Sequence, residues 1–159
     1  MLTGVAVTCD DEEVMKTYRL GDYVTQQTNS KWFGARVPLK IYMLSGTDTT
    51  KRSCRFWRKL GEAPVLYDSV KSERTKNDIE QVLNNAGYMK AEVEEFKMVK
   101  GKKMNVLYNV HPKERYTIRN IHRIVEDRGL RHFIMVEDTT NSLLRTGLPF
   151  EVTALNGER

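Results

Sequence analysis

Residues Gly61 to Pro112 read GEAPVLYDSVKSERTKNDIEQVLNNAGYMKAEVEEFKMVKGKKMNVLYNVHP. The hydrophobic period changes partway along this stretch. Ile79, Val82, Leu83 and Ala86 stand at i, i+3, i+4 and i+7, which makes one apolar stripe on a helix. Gly87 follows where a left-handed residue past a helix end is cheapest without a Cβ. The period then falls to two: Met89, Ala91 and Val93 alternate with Lys90, Glu92 and Glu94. Beyond Lys100-Gly101-Lys102-Lys103 the alternation resumes in Met104, Val106, Tyr108 and Val110, the pattern of a hairpin. An amphipathic helix and a one-sided hairpin bury their apolar faces only against each other. The expected fold class is therefore α+β.

Charged residues make up 30% and hydrophobic ones 40% of the 159 residues, a globular composition sufficient for one ordinary domain or two small ones. No apolar run approaches the ~20 residues of a membrane-spanning helix, and the start lacks the basic and apolar regions of a signal peptide. A strand-like run so close to Met1 is expected of a piece of something longer. Cys9 and Cys54 are too few and too far apart for a disulfide scaffold or a zinc site. They are expected to be two buried thiols, or a pair in an oxidising compartment.

The formal charge of +5 is unevenly placed. Lys31, Arg36, Lys40, Lys51, Arg52, Arg55, Arg58 and Lys59 face the single acid Asp48 between residues 31 and 60, interleaved with Trp32, Phe33, Tyr42, Phe56 and Trp57. The plain expectation is that these aromatics are core and the bases solvate the outside. The other is contact with an anionic surface through Lys51, Arg52, Arg55, Arg58 and Lys59: nucleic acid, acidic lipid or an acidic partner.

In chain order, Val5 and Val7 alternate with Ala6 and Thr8 as a short strand, and Asp10 to Glu13 reads as a solvated turn. Leu20, Tyr23, Val24 and Gln27 give a short helical stripe, broken at Thr28-Asn29-Ser30. Residues 31 to 60 look like an inserted helical pair. The first helix has Pro38 in its opening turn. The second is capped by Thr47 or Asp48, with Cys54, Trp57 and Leu60 as its stripe. Asp68, Ser69, Ser72 and Thr75 all offer caps for the main helix, and Thr75 to Asp78 resembles a capping box. After the hairpin, a strand is expected from Tyr116 and Ile118 with a bulge or edge before Val125, and a helix start at Thr139 to Leu144 stopped by Gly147. An internal repeat links Gly61, Pro64, Val70 and Glu73-Arg74 to Gly147, Pro149, Leu155 and Glu158-Arg159. The second unit is thus cut short, and residues 116 to 159 are expected to fray, dock on the first unit or pair with a neighbour.

No phosphate loop, dinucleotide fingerprint, HExxH or GxSxG is present. His111, His122 and His132 have no ligand-spaced partner, so neither metal, cofactor nor catalysis is expected.

The order strand-helix-helix-strand-strand, with Gly87-Tyr88 between main helix and hairpin, resembles a POTRA domain. These are the polypeptide-transport-associated repeats on the periplasmic side of BamA/TamA-type outer-membrane assembly proteins. Asn29 to Phe33, Val37-Pro38, Ser45 to Asp48, Gly61 to Asp68 and Ser142 to Leu144 resemble the TamA-like lipoprotein branch, and the resemblance covers essentially the whole chain. It implies a complete POTRA-like unit at 1–113, with a helical insertion at about 31–60, and the incomplete start of a second at 114–159. It implies a non-catalytic periplasmic scaffold beside the outer membrane. The implied partners are unfolded outer-membrane clients or another assembly subunit, together with the family's β-barrel, which this sequence lacks. Nucleic acid is not among the partners the resemblance implies. The client edge maps to Met89, Ala91, Val93, Glu95, Phe96 and Met98. Against this stands a basic nucleic-acid-binding module built on residues 31–60, although no RNP-type aromatic motif marks a strand.

Overall fold

The computed structural model describes residues 1–158 apart from 47–50, 123, 125, 128 and 133–141. Strand β1 (Leu2–Cys9) leads into α1 (Glu12–Thr17) and a 3-10 turn (Leu20–Tyr23). Helices α2 (Val37–Leu44), α3 (Arg52–Leu60) and α4 (Ser69–Asn85) follow, then β2 (Glu92–Lys100), β3 (Lys103–His111) and α5 (Val152–Gly157). The sheet order is β1-β3-β2: β1 runs parallel to β3 and β2 antiparallel to it. A parallel neighbour needs a long crossover, and all the helices up to α4 lie in it. The fold class is α+β.

The predicted stripe is the floor of the core. Ile79 and Leu83 are fully buried with Val93, Val106, Tyr108 and Val110 of the hairpin and Leu2, Val14 and Leu20 from the first 20 residues. The stripe also runs further back than apolar counting reveals. Ser72 and Thr75 share the same helix face and are equally buried. Thr75 Oγ1 donates to the Lys71 carbonyl (3.0 Å) and accepts from the Thr25 amide (3.0 Å). Thr75 is therefore mid-helix and no capping box forms at Thr75 to Asp78. The cap is Asp68, whose carboxylate accepts from the Val70 amide (3.0 Å).

Several expectations are corrected. The acidic run is not a turn. Asp11 accepts from the amides of Glu13 (2.9 Å) and Val14 (3.2 Å), Glu12 and Glu13 sit favourably in a first helical turn, and Val14 is buried. Helix α3 starts after Lys51, which makes no side-chain cap; Thr47 and Asp48 lie outside the described residues. None of its residues is buried, so Cys54, Trp57 and Leu60 form no core stripe. Trp32, Phe33, Phe56 and Trp57 are all exposed, which overturns the reading of these aromatics as core. Helices α2 and α3 pack mainly on each other and bury too little to hide them. Cys9 and Cys54 are free thiols, each half-buried.

Thr28-Asn29-Ser30 is more than a break. Asn29 is fully buried, donating through Nδ2 to the Ala63 carbonyl (2.7 Å) and accepting at Oδ1 from the Val65 amide (3.1 Å). Gln26 repeats the device one turn along, bonding the Leu66 carbonyl and the Asp68 amide. Two amide side chains thus satisfy part-buried backbone groups of an extended stretch that meets β1 through the bond from the Leu2 amide to Val65 O.

Beyond the hairpin, Tyr116 and Ile118 form no strand but a short ladder. The Phe150 amide donates to Tyr116 O (2.9 Å), the Ile118 amide to Leu148 O (2.8 Å), and Thr117 bridges Pro149. In the repeat Val65 matches Phe150, and Val65 likewise meets the first extended stretch, accepting from the Leu2 amide (2.7 Å). Ser142 to Leu144 is not helical, while Val125 and Thr139 to Asn141 lie outside the described residues. This tail does not fray at its start. The Tyr116 amide donates to Gly87 O (2.9 Å), and Arg115 donates to Ala86 O (2.9 Å) and pairs with Glu151 (2.6 Å). Gly87 is obligatory there: its φ is 95° and a Cβ would lie 2.3 Å from Phe150 O.

Replacing Asn29 with alanine removes the partner of the part-buried Ala63 carbonyl and Val65 amide and is expected to cost about 1–3 kcal/mol, read as a lower urea midpoint. Gly87→Ala is expected to leave α4 intact but to speed hydrogen exchange at the Tyr116 and Phe150 amides, because the tail must move off the helix end.

Candidate peptide-docking edge

Strand β2 is the rim of the sheet, and its backbone phase follows from the register. Gly101-Lys102 is a two-residue turn, so Lys100 and Lys103 form a hydrogen-bonded pair and every second pair after it does too. The pairs Val99–Met104, Lys97–Val106, Glu95–Tyr108 and Val93–Val110 then turn their backbone groups away from each other. Two bonds on the far side of β3 agree. The Met104 amide donates to Met1 O (2.9 Å), and Val110 O accepts from the Asp10 amide (3.1 Å). Hence Val93, Glu95, Lys97 and Val99 aim their N–H and C=O groups outward from β2. Among the described residues no strand pairs with that side.

The other rim differs. The Leu2 amide is taken by Val65 O, and the Arg36 guanidinium donates to Thr3 O. β1 is thus occupied where it begins, whereas β2 carries an open ladder.

The charges on β2 are held in place. Glu95 faces α4 and accepts from Tyr67 Oη (2.8 Å) and Ser72 Oγ; Ser72 Oγ also meets Tyr108 Oη (2.6 Å). Lys97 pairs with Glu95 (3.1 Å) and lies 4.8 Å from the centre of the Tyr67 ring. Glu92 is paired with Lys113. Burial would raise the Glu95 carboxyl, but hydrogen bonds from Ser72, Tyr67 and Lys97 outweigh it and hold it below the usual glutamate range. The Lys97 ammonium is raised, first by Tyr67 and then by Glu95. Desolvation pushes the Tyr108 hydroxyl up.

On the opposite face of the sheet, Phe96 and Met98 are 48% and 56% exposed. Phe96 lies beside Leu107, and Leu107 beside Ala6, an apolar row across all three strands.

The structure therefore brings Val93, Glu95, Phe96 and Met98 together on β2. Met89 and Ala91 precede the strand: they belong to a turn in which the Ala91 amide donates to Tyr88 O (3.1 Å), so they lie off the rim. Lys97 and Val99 belong to the rim and were not among the expected residues; counting by twos from Val93 reaches both. The basic residues are divided as well. Arg58 turns inward, donating to Ser45 Oγ (3.3 Å) and Gly46 O (3.1 Å) with its guanidinium 5.9 Å from the Tyr42 ring centre. Arg52, Arg55 and Lys59 instead line an open groove of about 460 Å³ with Phe56.

No group of three or more His, Cys, Asp or Glu side chains suited to a metal ion occurs among the described residues. Nor is any helix among them long and apolar enough to cross a membrane. No protein-family model and no curated protein matches this chain.

Because the folded Glu95 carboxyl is depressed, its contribution to stability is present above the ordinary glutamate value of about pH 4.3. That contribution is lost as pH falls through the lower folded value. Glu95→Gln is expected to flatten the acid side of the stability profile, measured as the urea midpoint from neutral pH down to about pH 3.

Proposed function

We propose that this chain is a non-catalytic scaffold of the POTRA type, working on the periplasmic side of the bacterial outer membrane in β-barrel assembly or translocation. It holds an extended segment of an unfolded client, or of another assembly subunit, by adding it to β2. One observation carries the reading: the rim of β2 presents, in phase, the outward backbone of Val93, Glu95, Lys97 and Val99, which no strand among the described residues pairs. An extended peptide completes such a ladder, and its alternate side chains meet the apolar surface of Phe96 and Met98 beside it.

Three further features support it. The elements run strand, helix, helix, strand, strand once the α2–α3 pair is taken as an insertion. The strand after the main helix is the one at the rim. Lys97 and Glu95 are locked to Tyr67 and Ser72 on the helix side, which leaves the outer backbone clear. The sequence repeat, with residues 114–159 opening a second unit, accords with an array of such modules.

The test uses a labelled alternating-apolar strand peptide of about 10 residues and fluorescence anisotropy. Val93 is buried, so proline there disturbs the core. Val99 is 64% exposed and its N–H faces outward, so Val99→Pro removes one rim donor and leaves the hairpin paired. Affinity is expected to fall about fivefold or more, the worth of about one hydrogen bond. Met98→Pro, which removes a donor inside the β2–β3 ladder, is expected to lower stability instead. Unchanged affinity in folded Val99→Pro protein rules out docking on this rim.

A further inference from the structure

The inserted pair α2–α3 carries a surface that the rim of β2 does not use. Helix α3 turns Arg58 toward the end of α2, half-buries Cys54 and leaves its other residues exposed. Arg52, Arg55 and Lys59 recur at i, i+3 and i+7, which makes one basic stripe. Phe56, Trp57 and Leu60 lie alongside it at 59%, 41% and 51% exposure. Phe56 and Trp57 pack edge to face at 5.7 Å, so they present one apolar body and not two loose rings.

A second observation lies at the entry to the pair. Trp32 and Ala35 bridge each other across Phe33-Gly34, and both central residues have positive φ, 52° and 79°. That is the backbone of a type I′ turn, in which phenylalanine is a costly occupant. Phe33 nevertheless stands at the tip with its side chain fully in solvent, and Trp32 beside it is exposed. The turn lies a few residues before Pro38, whose carbonyl accepts from the Glu62 amide just past the end of α3. The Phe33 tip and the aromatic end of α3 therefore share one end of the helical pair.

We infer that the outward face of α3, with the Phe33 turn toward its C-terminal end, is a docking surface for the interface of an anionic lipid bilayer. Bases at the phosphate level with aromatic and aliphatic side chains sunk beside them is the arrangement an interfacial helix uses. The long stems of Arg52, Arg55 and Lys59 let their heads stay in water while Phe56 and Leu60 enter the headgroup region. The charge fits: residues 31–60 carry eight bases and one acid, and Arg58, tied inward, is not needed for it. Nucleic acid fits less well, because its bases stack on aromatic faces but gain nothing from Leu60 or from the exposed Met43 and Leu44 on α2.

The protein's two tryptophans, Trp32 and Trp57, both lie in this surface, so intrinsic fluorescence reports on it selectively. Vesicles of phosphatidylcholine containing phosphatidylglycerol are expected to shift tryptophan emission to the blue and to carry the protein in flotation. Vesicles of phosphatidylcholine alone are expected to do neither, and added salt should weaken the anionic binding. Each base near an anionic surface is worth about fivefold in partitioning. R52Q/R55Q/K59Q is therefore expected to bind on the order of 100-fold more weakly, with an unchanged thermal melt because none of the three is buried. Phe33→Ser, at the tip of its turn, is expected to weaken binding with the charge intact. The Val99→Pro variant should bind vesicles like the parent, which separates this surface from the β2 rim. The inference is overturned by absence of binding to anionic vesicles at low salt. It is equally overturned by a triple variant that binds as the parent does, or by an emission shift with polyglutamate or single-stranded DNA in place of vesicles.

Discussion

Ile79 and Leu83 of α4 lie fully buried with Val93, Val106, Tyr108 and Val110, and that contact sets the phase of the hairpin and of its rim. Side chains on the underside of a sheet alternate, so fixing Val93 against the helix fixes the phase of all of β2. Glu95 then has to come down on the helix side, where Ser72 and Tyr67 receive it. Phe96 and Met98 have to face away. The outward backbone of the rim is a consequence of the same phase. A slip of one residue would bury Phe96 and Met98, expose Val93, and leave Ser72 and Tyr108 bonding only each other inside an apolar core, a costly arrangement.

The parts legible in the sequence are those written in apolar residues. The stripe from Ile79 to Ala86, the left-handed Gly87 and the alternation from Met104 to Val110 all appear as their spacing predicts. What escaped is written in polar residues. Ser72, Thr75, Asn29 and Gln26 are buried because each closes hydrogen bonds with a distant segment, and no local pattern marks them. The first helix was hidden for a similar reason. With Val14 its one buried side chain, it depends on the Asp11 cap more than on a stripe.

For the docking edge, four of the six expected residues sit on the strand, and the other two show what the pattern could not reveal. Alternation located Val93 and its neighbours, but the start of β2 is set by the turn at Tyr88 to Ala91, which the sequence pattern ran straight through. In the insertion the sequence misled in the opposite direction. Hydrophobic residues recurring by threes suit a buried stripe, yet α3 has no neighbour large enough to cover them. The same pattern on an uncovered helix becomes a surface.

The two rims of the sheet are unequal, and that inequality limits what the molecule can build. Growth of a fibre requires every copy to offer a vacant border on both flanks, so that each newcomer creates the next landing place. Here the β1 flank is obstructed at its first residues by Val65 and Arg36, whereas among the described residues no strand pairs with the outer side of β2. The architecture thus makes the two flanks unequal landing places, since pairing along the whole of β1 would first have to displace Val65 and Arg36 from its start.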